Sequence, residues 1–356
     1  MSFISSLYNL ALLGRIKDDP GPFDASKVER ILVVRNDNIG DVICTTPALD
    51  ALRQAFPRAF IAALVCTLTE EAISGHRALD AVYAYPKVKH RHFGKLESLR
   101  RHGAVMAEIR RQRFDLALAL RVEFSTSQAW LAYASRARWR AGPRALGSKS
   151  RWGFFYNLPL EPPPRELHEV ERCFHLLRQI QVDSSNKRLY LKVPPQAGEV
   201  AQNFLAQSGI DGDEGPVIVN ATRWAYRPDR TWPADKYRAL VETLARRGIP
   251  VAITHAPQDR PWVADLLQGL SPMPPVFWSS SLKEFCALAA RARVFITAEG
   301  GPMHLAAAVG TPVLVLWGDT PLEVWRPWGV RHQVLEDHRG VGEISVEQVV
   351  EALGRI

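Results

Sequence analysis

Both halves of this 356-residue chain alternate short, largely apolar runs with segments of helical periodicity. In the first half the runs are ILVV (31–34), FIAALV (60–65), AVYAY (81–85) and FDLALAL (114–120). In the second they are PVIVNA (216–221), IPVAITH (249–255), VFITA (294–298) and TPVLVLWG (311–318). A run that is apolar at every position suits a strand buried on both faces, and helical segments between such strands point to parallel sheets with crossover helices. The stretch DSSNKRLYLKVPPQAG (183–198) is polar, then proline-bearing, and the domain linker is placed near its start. The expectation is two doubly wound α/β domains, residues 1–182 and 183–356, with ligands at the carboxyl ends of the strands. Helix boundaries are marked by Pro233 and Gly248 and by two capping boxes, Ser281 with Glu284 and Ser345 with Gln348.

Composition narrows the partners. At 47% hydrophobic and 23% charged, the chain has apolar material for two cores. Its net charge of +8 favours an anionic partner: nucleic acid, a phosphorylated small molecule or an acidic membrane surface. Cys44, Cys66, Cys173 and Cys286 have no CxxC spacing, which argues against a disulfide framework or a zinc site and fits a reducing cytosol. No apolar run reaches the roughly 18–20 residues that span a bilayer, and the N-terminus lacks the pattern of a signal peptide. Residues 1–17 still place Phe3, Ile4, Leu7, Tyr8 and Ala11 at helical spacing. Such an amphipathic helix lies in a membrane interface or packs on a protein surface.

The usual fingerprints are missing. No GxGxxG follows the leading strand of either half, which disfavours a dinucleotide oxidoreductase, and GxxxxGK[ST], HExxH and GxSxG are absent. Two glycine-bearing junctions remain. In RNDNIGD (35–41) a buried strand meets a helix and Asp41 stands at the junction. It either caps that helix or, with Thr46 before Pro47 as the cap, stands free in the preceding turn. In TAEGGPMHL (297–305), Gly300 and Gly301 permit close backbone approach and Pro302 suits a first helical turn. Free N–H groups there can hold a phosphate, although a turn that uses glycine only for tightness would read the same.

Three segments together resemble glycosyltransferase family 9, which contains the ADP-heptose:lipopolysaccharide heptosyltransferases. They are ILVVRNDNIGDVICTTPALDALRQAFPRA, ATRWAYRPDRTWPADKYRALVETLARRG and FITAEGGPMHLAAAVGTPVLVLWGDT, and the resemblance runs from about Arg30 to Ile356. It implies the GT-B architecture, two Rossmann-like domains facing across a cleft, with the last helix (345–354) packing back on the first domain. It implies inverting transfer of a sugar, heptose by default, from an ADP-sugar to the inner core of lipopolysaccharide. Asp41 matches the family's general base, within reach of the acceptor hydroxyl. Gly40, Thr222, Arg230, Asp259, Ser280, Glu299, Gly300, Gly301 and His304 match donor-site positions: Thr222, Arg230 and the two glycines toward phosphate, Asp259 toward ribose, Ser280 toward the base. Arg223 and Arg227 share the Arg230 loop and leave the assignment to Arg230 provisional.

The chain departs from the family pattern at Arg230, where Lys is common, at Glu299, where Asp is usual, and at Gly300, where Thr or Ser is usual. These departures bear on the identity of the sugar. Lys95, Arg121 and Arg144 stand in or beside basic segments of the first half and are the expected contacts to an anionic acceptor and the membrane around it. No cofactor, metal or nucleic-acid module is called for. The expected place of work is the cytoplasmic face of the inner membrane of a Gram-negative bacterium. The alternatives are a family 9 transferase using another nucleotide sugar, a catalytically silent nucleotide-binding scaffold, and a nucleotide-sugar epimerase of the same architecture.

Overall fold

A computed structural model of the chain describes residues 19–87, 94–210, 215–223 and 227–356. The amphipathic segment 1–17 lies outside them. The described residues form two six-stranded sheets, every adjacent strand pair parallel. The first contains β1 (Arg30–Val34), β2 (Phe60–Cys66), β3 (Ala81–Tyr85), β4 (Leu116–Ala119), β5 (Trp139–Pro143) and β6 (Leu158–Leu160), in the order β3-β2-β1-β4-β5-β6. The second contains β7 (Val217–Asn220), β8 (Val251–Thr254), β9 (Val276–Phe277), β10 (Val294–Ala298), β11 (Val313–Trp317) and β12 (His332–Glu336). Its order, β12-β11-β10-β7-β8-β9, is the same doubly wound order read from the other edge. The direction of winding reverses between β1 and β4 and between β7 and β10, and ligands of open parallel sheets collect beyond the strand ends at such points. Both glycine-bearing junctions lie there, after β1 and after β10.

The apolar runs are central strands for a direct physical reason. Ile31, Leu32, Val33 and Val34 are each at most 1% exposed, since helices cover both faces of the sheet. Each such side chain contributes roughly 1.5–3 kcal/mol by leaving water. The second core has the same character, with Trp232, Leu240, Leu244, Ile296, Leu314 and Leu316 among its buried members.

By their contacts the residues group into two compact units. One takes the chain up to Asp37, Ala48–Glu70 and Arg77–Asn186; the other takes Asn38–Pro47, Glu71–His76 and Lys187–Ile356. Where the sequence reading cut once, at residue 182, the units exchange two short segments. Helix α1 (Ile39–Ala55) therefore contributes its first half to the second unit.

One local expectation needs correction. The helix after β1 starts at Ile39, so Thr46 is not its cap and Pro47 lies inside it. Proline has no N–H to donate to the carbonyl of Ile43. The Thr46 hydroxyl makes that bond instead, at 2.7 Å, and accepts one from the Tyr190 N–H at 3.0 Å. The last helix (Val346–Leu353) has its capping box, Ser345 with Gln348, and its apolar side chains Val349, Val350, Ala352 and Leu353 join the core of the second unit.

Candidate functional site

In the second unit, the turn after β10 is set by its backbone. Gly300 has φ +138°, a region that L side chains rarely adopt, so the turn requires glycine. A helix (Gly301–Ala308) follows without a side-chain cap, and Pro302 removes one N–H from its first turn. The N–H groups of Gly301 and Met303 lie at its start, a disposition that suits a phosphate.

Beside this turn ends β7. Asn220, only 1% exposed and not singled out in the sequence, donates from Nδ2 to Thr222 Oγ1 at 2.7 Å and to Thr297 Oγ1 at 3.0 Å. Thr222 Oγ1 is thereby fixed as an acceptor, which leaves its own proton for a ligand. Asp259 is buried at the end of a 3₁₀ turn (Pro257–Asp259), and its Oδ2 has no hydrogen-bond partner. Burial pushes its carboxyl above the ordinary value, partly offset by the Arg223 N–H.

The arginines of the loop sort themselves by their partners. Arg227 is taken by two carboxylates, Asp229 at 2.7 Å and Asp319 at 3.0 Å. Arg223 is exposed. Arg230 is largely buried, its Nε 3.2 Å from Glu299 Oε1 and its Nη2 3.4 Å from Asp319 Oδ1. Two of the three positions that depart from the family pattern, Arg230 and Glu299, are thus in contact with each other. Burial pushes the Glu299 carboxyl up, and the Arg230 charge pulls it partly back.

His304, 3% exposed, sits in the first turn of the helix after Gly300. Its Nδ1 is 3.6 Å from Cys44 Sγ and its ring centroid is 6.1 Å from that of Trp325. Gly40 has a packing role: a Cβ there would lie 2.7 Å from His304 Cδ2. Gly301 approaches Ile39 in the same way, its would-be Cβ 3.6 Å from the Ile39 Cβ. These contacts bring the start of α1 to the start of the Gly301–Ala308 helix within the second unit. Asp41, the third residue of α1 and partly exposed, accepts at Oδ2 from the Asn38 N–H at 3.2 Å. Of the two readings left open, Asp41 caps the helix from within its first turn.

Ser280 is held by Glu284. Its N–H and hydroxyl both donate to Glu284 Oε2, at 2.8 and 2.9 Å. The predicted box at Ser281 is therefore half made: Ser281 Oγ accepts from the Glu284 N–H, while the Glu284 carboxylate serves the neighbouring serine.

The first unit holds a buried charged cluster at the carboxyl ends of β1 and β4. Arg35, 1% exposed, lies 3.2 Å from Asp37 Oδ2 through Nε and 2.6 Å from Glu169 Oε1 through Nη2. Asp37 also accepts from Arg121 Nη1 at 2.7 Å and Gln128 Nε2 at 2.8 Å. Arg172 stands 3.4 Å from Glu169. Of the expected acceptor contacts, Arg121 therefore belongs to this cluster and stays 46% exposed. Arg144, just beyond β5, is ion-paired with Glu161. Lys95 is the first residue of a helix (Lys95–Arg111). The sequence reading missed Arg35, Asp37, Glu169 and Arg172. A signal existed in EVERCFHLL, where Glu169 falls on the helix face that carries Cys173 and Leu176. Among the described residues no group of three or more His, Cys, Asp or Glu is placed to hold a metal ion, and no helix is long and apolar enough to cross a membrane.

The model of the family described as glycosyltransferase family 9 (heptosyltransferase) matches residues 102–351. Lipopolysaccharide heptosyltransferase 3 of Escherichia coli is 27% identical over 296 residues, covering 81% of this chain and 83% of that protein. The crystal structure of a family 9 glycosyltransferase from Veillonella parvula superposes with a TM-score of 0.80 at 22% identity, covering 92% of this chain and 96% of that one. The Escherichia coli heptosyltransferase WaaC with ADP-2-deoxy-2-fluoro heptose gives 0.73 at 21% identity, with 92% and 99% covered. The two parallel Rossmann-like sheets agree with these folds. A match over residues 102–351, more than half of the chain, settles the family: this protein belongs to glycosyltransferase family 9 and is a glycosyltransferase of the heptosyltransferase kind.

Proposed function

We propose that the protein transfers heptose, with inversion and without a metal, from ADP-heptose to a hydroxyl of the lipopolysaccharide inner core, and that Asp41 is the general base. The observation that carries the proposal is the packing of Gly40 on His304 and of Ile39 beside Gly301. It sets the first turn of α1, with Asp41, next to the turn whose N–H groups suit a diphosphate. In this reading, the N–H groups from Gly301 onward, the Thr222 hydroxyl and the Arg230 guanidinium stabilise the charge that develops on the departing nucleotide. Asp259 takes the ribose, Glu299 lies on the sugar side, and the Ser280 region borders the base. Asp41 accepts a capping bond from the Asn38 N–H. Proton transfer to it accompanies attack on the anomeric carbon.

Arg121, with one nitrogen fixed by Asp37, and the basic residues near Lys95 and Arg144 receive the anionic acceptor. The ADP-bound and ADP-sugar-analogue forms of WaaC and the lipopolysaccharide heptosyltransferase relatives support this choice of donor and acceptor. We place the protein in the cytoplasm, at the inner face of the inner membrane. The exposed Leu96 and Leu99 among Arg100 and Arg101 support that placement. A thermal-shift series with ADP, UDP, GDP, CMP and TDP, with NAD as control, tests the donor. Stabilisation by ADP alone is expected. Stabilisation by UDP or GDP alone would overturn the ADP-sugar, and none with any nucleotide would favour a silent scaffold.

A further inference from the structure

We infer that Glu299 is a positioning residue for Arg230: it sits in room left by Gly318, pairs by charge with the Nε side of the guanidinium and leaves the two terminal nitrogens for the donor diphosphate. The inference rests on the donor site proposed above and goes beyond the sugar-side role given there to Glu299. Four observations carry it. Glu299 is 3% exposed, with the Thr320 hydroxyl beside its carboxyl. Among the described residues its ion pair is with Arg230 Nε, at 3.2 Å. A Cβ on Gly318, a buried residue, would lie 3.3 Å from Glu299 Oε1, so the glycine makes the space in which the longer carboxylate fits. Asp319 engages only Nη2, and at 3.4 Å, so the outer edge of the guanidinium is weakly held.

Geometry then fixes the division of labour. A guanidinium has five N–H donors in one plane, and the Nε donor and the two Nη groups point to different sides. A carboxylate charge beside Nε draws that side of the plane inward and leaves the two Nη groups as a fork for phosphate oxygens. A lysine has one nitrogen and cannot be held and offered in this way. Arg230 and Glu299, both departures from the family pattern, then work as one device with Gly318.

The test is a double-mutant cycle read by calorimetry with inorganic pyrophosphate, ADP and adenosine as probes. Glu299→Gln is expected to weaken ADP and pyrophosphate by about tenfold, within the range of coupling between neighbouring charges, and adenosine by less than twofold. In an Arg230→Met background the same change is expected to have no further effect. Gly318→Ala, which crowds Oε1 without removing any charge, is expected to weaken ADP by a few-fold, and this loss should vanish when Glu299→Asp withdraws the carboxyl. Three results would overturn the inference alone, with wild-type ADP binding intact. They are additive costs for Glu299 and Arg230, an equal loss for adenosine, and an unchanged ADP affinity with only the KM of the sugar donor raised. Failure of the wild type to bind both ADP and pyrophosphate would overturn the donor site itself.

Discussion

Replacing Gly40 by alanine tests the packing that joins the two glycine-bearing junctions. The added Cβ would lie 2.7 Å from His304 Cδ2 and 3.3 Å from Nε2. Carbon atoms in contact sit at about 3.5–4.0 Å, so the overlap is about 1 Å. The ring cannot easily swing away. It is 3% exposed, with Cys44 Sγ 3.6 Å from Nδ1 and Trp325 nearby. Overpacking of this kind costs about 1–3 kcal/mol. Opposing it, Gly40 lies in a helix at a φ open to alanine, where Gly→Ala gains up to about 1 kcal/mol. The expected net result is a loss of about 1–2 kcal/mol in urea denaturation. In a His304→Ala background the clash is gone and the sign should reverse, with Gly40→Ala neutral or stabilising. The coupling between the two sites should thus be about 2 kcal/mol. An equal effect of Gly40→Ala in both backgrounds would refute the reasoning.

Other perturbations give separate checks. Burial raises the folded-state pKa of Asp259 above its ordinary 3.8, so ionising it costs stability that grows as pH rises through the interval above 3.8. Asp259→Asn should therefore gain stability over the wild type as pH rises from 4 to 7 in unliganded thermal melts, while weakening ADP; a difference independent of pH would contradict the assigned shift. Thr46→Val should cost about 1–3 kcal/mol by orphaning the Ile43 carbonyl, and less in Pro47→Ala, whose restored N–H takes over that bond, as paired denaturation curves would show. Leu96→Ser with Leu99→Ser should reduce sedimentation with vesicles containing anionic phospholipid and leave ADP binding unchanged; undiminished sedimentation would remove this helix from the membrane contact.

The central strands were legible because burial on both faces writes an uninterrupted apolar run, as in β1, β7, β10 and β11. Strand β5, WRAGP, was not, because it carries an arginine, a glycine and a proline. Arg140 is 3% exposed, and its guanidinium is satisfied by the carbonyls of Phe155 and Ala137, a tertiary event that local pattern does not record. The start of α1 was displaced for a similar reason. Pro47 reads as a helix boundary until the Thr46 hydroxyl is seen to replace the missing donor. At the candidate site, the glycines and Asp41 stood out through their place at strand ends. Asn220 and Asp37 did not, since a polar residue that closes a buried strand looks like a turn until its partners are known. Pairings such as Glu299 with Arg230 join residues far apart in the chain.

In the proposed reaction Asp41 takes the acceptor proton in a sugar transfer. The direct measurement is the single-turnover rate of heptose transfer from ADP-heptose to a truncated lipopolysaccharide core, for wild type and Asp41→Asn, with ADP affinity measured on both. Asparagine keeps the size and a carbonyl for the Asn38 N–H but cannot accept the proton. The expected result is a fall of about 10²–10⁴ in rate with ADP affinity and thermal stability little changed. A rate within threefold of wild type would contradict it.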